Sequence, residues 1–212
     1  MVAGKHSRKS AANAAALGLR AHSGWAALVA VAGSPRAPVV LDRRRIEIAD
    51  PKIRGSKQPF HAAEPLDLGQ AEQLIRRCTE STRLLARQAL HAGINELREK
   101  GYVVRRCGIL LGSGRPIPPL ATILASHALI HAAEGEFFRN ALLDAAEHCG
   151  LAVTGVRERE LFSRAAAELR ISADEWARRT AEIGRLIGPP WRQDEKLAAL
   201  VGCLALCART RE

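Results

Sequence analysis

Aromatic residues are scarce in this chain of 212 residues: four Phe, three Trp and one Tyr, or 4% of the whole. The core must therefore be built mainly from Ala, Leu, Val and Ile. Five cysteines are odd in number and contain no CxxC step. That pattern excludes a disulfide framework and a paired-cysteine zinc motif, and reads as buried reduced thiols in the cytoplasm. No apolar run approaches the ~18 residues of a membrane span. The opening MVAGKHSRKSAANAAALGLR lacks the continuous apolar centre of a secretion signal. A Gly-Lys-Ser/Thr phosphate loop is missing, as are a GxSxG elbow and an internal repeat, so a Walker NTPase and a serine hydrolase have no support.

What is present is a hydrophobic fraction of 47%, a charged fraction of 25% and a net charge of +10. The first two values are those of a globular protein. The third favours polyanionic partners, nucleic acid among them, or an acidic protein. Oligomeric state is not legible. Residues 1–14 read as a disordered basic tail and 15–208 as a single α/β domain.

Leu17–Val31 predicts a long strand whose later half is apolar on nearly every residue, as a strand covered on both faces should be. The turn AGSPRAP then returns the chain through Val39–Ala49, an edge strand bulged around Arg43–Arg45. Asp50–Pro65, rich in Pro, Lys and Gly, predicts a long surface connection. A helix over Asp67–Lys100, a strand over Tyr102–Leu111 and a helix over Leu120–His148, broken near Gly135, follow. A short strand over Leu151–Val156 leads to helices over Glu158–Leu169, Ser172–Ile187 and Gln193–Ala208. The second of these opens on a Ser172–Glu175 capping box. The fold class is α/β: a mixed sheet with an N-terminal antiparallel hairpin, crossover helices and a helical C-terminal third.

Polar groups cluster where such a sheet would present a site. Ser113, Gly114 and Arg115 lie between a strand and a helix, where glycine permits close approach and a guanidinium grips an anion. His127, His131 and Glu134 share one helix face, suited to acid–base work or to a metal ion, or serving only as a polar surface. Arg20 and His22 interrupt the first strand, where a buried polar group needs a partner or a bulge. Asp194, Glu195 and Lys196 crowd the start of the last helix, a placement that the helix dipole alone would also favour. Lys57 ends a basic run of Arg43, Arg44, Arg45, Lys52 and Arg54, suited to phosphates or to protecting an edge strand.

The order of elements resembles the RNase H-like superfamily, and within it the RuvC-type junction resolvases. GLRAHSGWAALVAV resembles that family's opening strand and VVLDRRRIEIA its returning strand. CGILLGS takes the place of the fourth strand, and SADEWARRTAEIGRLIGPPWRQDEKLAALVGCLALC resembles its closing helices. The resemblance implies two metal ions held by carboxylates of the first strand, the fourth strand and the last helix, cleaving phosphodiesters. This chain departs from that set. Arg20 stands at the first-strand position, the fourth strand ends in Leu110, Leu111, Gly112 and Ser113, and only Asp194, with Glu195 beside it, remains.

The expectation is thus a cleft of Arg20, His22, Ser113, Arg115, His127, His131, Glu134 and Asp194 that binds nucleic acid through a degenerate RuvC-like site. Catalytic roles, if the protein is an enzyme, fall to His127, His131, Glu134, Asp194 and His22. Ligand contacts fall to Arg20, Ser113, Gly114, Arg115, Lys57 and Lys196. Two alternatives stay open: a small-molecule enzyme using His/Glu acid–base chemistry on an anionic substrate, and a non-catalytic interaction protein. The cofactor is undetermined and no metal ligand is assigned, a single divalent ion being an option.

Overall fold

The computed structural model describes residues 13–34, 37–112, 114 and 116–208. The expected tail therefore lies outside the described residues except at its end, where Ala14 already opens the first strand. The sheet has five strands: β1 (Ala14–His22), β2 (Trp25–Ser34), β3 (Ala37–Glu47), β4 (Val103–Leu111) and β5 (Ala152–Arg157). Their order is β3-β2-β1-β4-β5, with β1-β2 and β2-β3 antiparallel and β1-β4 and β4-β5 parallel.

The expected single strand Leu17–Val31 is two strands. The chain reverses at Ser23-Gly24, where Gly24 takes φ 82°, so that His22 faces Trp25 across the hairpin. Both strands are central and buried on both faces, so the apolar run carries no alternation to mark the turn. The bulge in β3 falls at Leu41, just before the arginines, opposite Ala30/Val31.

Helices cover both faces. On one lie α2 (Leu68–Glu99) and α4 (His127–His148), packed on Leu17, Leu19, Leu28 and Ile109 of the sheet. On the other lies α7 (Gln193–Cys207), buried along Leu197–Ala205 against Ala16, Val29, Val31 and Leu110. The start of α2 is fixed by Asp67, whose side chain accepts from Gln70 N at 2.9 Å. None of the helices among the described residues is long and apolar enough to cross a membrane.

Three other expectations need correction. The segment 50–65 is not simply a surface connection, because α1 (Pro59–Ala63) buries Phe60 and Ala63 beneath the helical layer. The helix over 120–148 breaks at Ser126, which is extended, into α3 (Leu120–Leu124) and α4; Gly135 lies within α4. The helix expected over 158–169 is a 3₁₀ turn (Glu158–Glu160), α5 (Leu161–Arg164) and a π turn (Ala165–Leu169), stopped by Arg170 at φ 56°. The following α6 (Ala173–Ile187) begins as expected, with Ser172 accepting from Glu175 N at 3.1 Å.

The seat of α7 depends on glycine. A Cβ at Gly18 of β1 would lie 1.8 Å from the Ala198 carbonyl oxygen, and one at Gly108 of β4 would lie 2.1 Å from that of Val201. Both obstacles are helix backbone, which cannot rotate aside. Gly18→Ala and Gly108→Ala are each expected to cost about 3 kcal/mol, read as a lower urea midpoint. Burial pushes the Cys203 thiol up to about 12 and raises Cys107 and Cys78 as well. All three are buried, whereas Cys207 is exposed. A thiol reagent should label Cys207 in the folded chain and reach these three only in denaturant.

Candidate functional site

The carboxyl ends of β1, β4 and β5 and the amino end of α7 meet at one edge of the sheet. Arg20, near the end of β1, reaches two carboxylates. Its Nη1 donates to Asp194 Oδ1, while Nη2 and Nε donate to Glu158 Oε1 and Oε2 at 2.8 and 3.4 Å. Asp194 is presented by the first turn of α7, where Glu195 accepts from Arg192 N at 2.7 Å and so caps the helix. Glu158 follows β5 directly and faces the same space.

His22 Nε2 stands 3.0 Å from Asp194 Oδ1 but is not aligned for a hydrogen bond, and this buried nitrogen has no other partner among the described residues. The ring is held instead by Trp25, stacked at 4.2 Å and 8°. Arg45 lies 4.1 Å from the centre of the same indole. Arg20, His22, Gly112, Arg139, Glu158 and Arg159 border a cleft of about 380 Å³. Gly112 lets α4 close on it: a Cβ there would fall 2.4 Å from Arg139 Nη2 and 2.6 Å from Glu136 Oε1.

A pair of hard cations does not fit these residues. The first strand brings a guanidinium, the fourth ends in Leu111-Gly112, and Asp194 and Glu158 are both bound by Arg20. Such ions need several oxygen ligands each. Arg20 places a positive charge among the carboxylates without offering any ligand.

The histidines form a second cluster. His127 and His131 are exposed on the first turns of α4, with their Nε2 atoms 3.0 Å apart. Glu134 does not orient either of them. It turns inward, where its Oε1 accepts from Phe60 N at 2.9 Å and His61 N at 3.2 Å, and lies 3.2 Å from His61 Nδ1. Burial pushes its carboxyl above the usual range, opposed by those hydrogen bonds. His131 borders a neighbouring cavity of about 300 Å³ with Glu136 and Arg139, so Arg139 stands between the two clusters.

The expected cleft is therefore two sites. Arg20, His22 and Asp194 converge; His127, His131 and Glu134 gather elsewhere, around His61. Lys57 packs beside Gly24 at the turn that carries His22 and Trp25. Lys196 lies away from the cleft, in a groove with Asp174 and Trp176. Gly114, at φ 71°, rests against Arg157, and Ser113 and Arg115 lie outside the described residues. In the basic run, Arg43 donates to the Ile187 and Pro189 carbonyls, Arg44 pairs with Asp42 and Glu96, and Arg45 pairs with Glu47. Lys52, Arg54 and Lys57 remain exposed.

Sequence reasoning missed Glu158, Arg139 and Trp25, and gave His61 no role. Glu158 had a usable signal, as the residue following a short strand. Arg139 had none, since its reach depends on Gly112. Asp194→Ala is expected to cost about 1–3 kcal/mol, as for a hydrogen bond to a charged group. In an Arg20→Leu background most of that cost should vanish, as a double-mutant cycle in urea would measure.

The sequence matches no family model and no curated protein. Among solved structures, it is similar to Thermus thermophilus RuvC in complex with a Holliday junction substrate, with TM-score 0.52 and 14% identity over 89% of this chain and 90% of that one. A second Thermus thermophilus RuvC structure aligns with TM-score 0.48 and 13% identity over 89% and 91%. The strand order, the flanking helices and the former match together make this a distant RNase H-like fold of the RuvC type.

Proposed function

We propose that this protein binds nucleic acid at the carboxyl edge of its sheet and does not cut it by a two-metal route. The observation that carries the reading is Arg20: an arginine engages the carboxylates that would otherwise be available to cations. Phosphate recognition needs fixed positive groups and no metal. Arg139 and Arg159 line the cleft, and the exposed Lys52, Arg54 and Lys57 belong to the loop that packs on the His22–Trp25 turn. The net charge of +10 supplies the long-range attraction. That a similar fold is known with a Holliday junction substrate adds support for branched DNA as the ligand class. The acid–base alternative gains nothing from the geometry, since His127 and His131 are exposed and contact each other.

The test is fluorescence anisotropy with labelled single-stranded, duplex and four-way-junction DNA and with RNA, across salt. Binding should weaken about 1,000-fold or more between 50 and 200 mM salt if six or more phosphates are contacted. Lys57→Ala should reduce the salt slope by about one. No Mg²⁺- or Mn²⁺-dependent cleavage should follow. Cleavage by the wild type that Asp194→Ala abolishes would refute the non-catalytic reading.

The role of Arg20 can be tested separately. Arg20→Asp should lower stability without metal, through repulsion among three carboxylates. It should also acquire a Mn²⁺-dependent rise in Tm that the wild-type cleft lacks.

A further inference from the structure

Three imidazoles meet on a surface that the sheet-edge cleft does not use. His127 and His131 stand one turn apart on α4, and His61 joins them from α1. One ring nitrogen from each lies within 4.8 Å of the other two. The His61 ring centre is 4.8 Å from that of His131 and 5.5 Å from that of His127. Among the described residues, this is the one place where three groups of metal-ligand type converge.

Two Nε2 atoms 3.0 Å apart cannot both carry protons. A neutral imidazole is the form that ligates a borderline divalent cation. At metal–nitrogen distances of about 2.0–2.1 Å, tetrahedral ligands sit about 3.3–3.4 Å from one another. The spacings here are therefore within about 1.5 Å of that geometry, a change within reach of small side-chain rotations on exposed residues.

Glu134 supplies an independent reason. It is 4% exposed, its Oε2 has no partner among the described residues, and its Oε1 holds the first backbone N–H groups of α1 and faces His61 Nδ1. A carboxylate on the nitrogen that does not ligate fixes a histidine's tautomer and ring orientation. With Nδ1–H donated to Glu134, the His61 lone pair is on Nε2.

We propose that His61, His127 and His131 bind one borderline divalent transition-metal ion, of the Zn²⁺ or Co²⁺ kind, with Glu134 positioning His61. Three protein ligands leave the fourth position to water or to an exogenous ligand. The proposal is independent of the nucleic-acid reading and stands if that reading fails.

The experiment uses the full chain without an affinity tag, stripped with EDTA and dialysed. It is titrated with ZnCl₂ by calorimetry in a non-coordinating buffer and with CoCl₂ by visible absorption. One equivalent of Zn²⁺ should bind with micromolar or tighter affinity, and Co²⁺ should show the visible bands of a tetrahedral site. His127→Gln and His61→Gln should each weaken binding tenfold or more, and Glu134→Gln by about tenfold. Circular dichroism checks that each variant is folded; His127 is exposed, so its variant decides the matter should the others unfold. Absence of saturable Zn²⁺ binding by the wild type would overturn the proposal. So would one-equivalent binding of unchanged affinity in folded His127→Gln, which would assign the metal to thiols or other donors.

Discussion

Everything at the sheet edge depends on how closely α7 lies on β1 and β4. Helices ordinarily rest on a sheet through side chains. Here the α7 backbone meets two strands directly at Gly18 and Gly108, and Gly202 returns the contact from the helix side. That approach sets the height of α7, and hence the height of Asp194 in its first turn. A helix raised by one methyl group would carry Asp194 away from Arg20 and His22. The ion pair in the cleft is thus a consequence of backbone packing some distance beneath it.

The same packing determines what the cleft can do electrostatically. Three elements that converge at this edge could bring three carboxylates together, whose mutual repulsion only bound cations would relieve. In this chain β1 brings a guanidinium instead. Arg20 pairs with Asp194 and Glu158 at once, so the charges are balanced within the protein. The cleft then needs no ion to balance these charges. The fold resides in buried glycines and aliphatics, whereas the electrostatic character of this edge is set by a few side chains.

This division also explains what was legible in the sequence. Strands β3, β4 and β5, the long α2 and the cap at Ser172 were readable because their signals are local: alternation, apolar periodicity and a serine three residues before a glutamate. Arg20 and Asp194 were placed together through resemblance in the order of elements, not through any pattern of their own. The hairpin at Ser23-Gly24 was hidden because two fully buried strands read as one. Helix α1 was missed because its first N–H groups are capped by Glu134, from an element distant in sequence. For the same reason Glu134 was assigned to the wrong histidines. Its spacing from His127 and His131 puts it near their face, but a buried carboxylate goes where donors are, and the donors are at Phe60 and His61.

Helix α4 is therefore the element on which both sites depend. Its first turns carry the histidines, its middle carries Glu134, and Arg139 further along reaches past Gly112 into the cleft. The segment from Asp50 to Ala63 packs on this helix through Phe60 and is held by a small set of polar contacts. Asp50 accepts from Lys52 N and Ser81, Ser56 donates to the Asp50 carbonyl, and α1 hangs on Glu134. That segment also carries Lys52, Arg54 and Lys57. His61 and the basic residues Lys52, Arg54 and Lys57 thus belong to one segment, which α4 holds through Glu134 and the packing of Phe60.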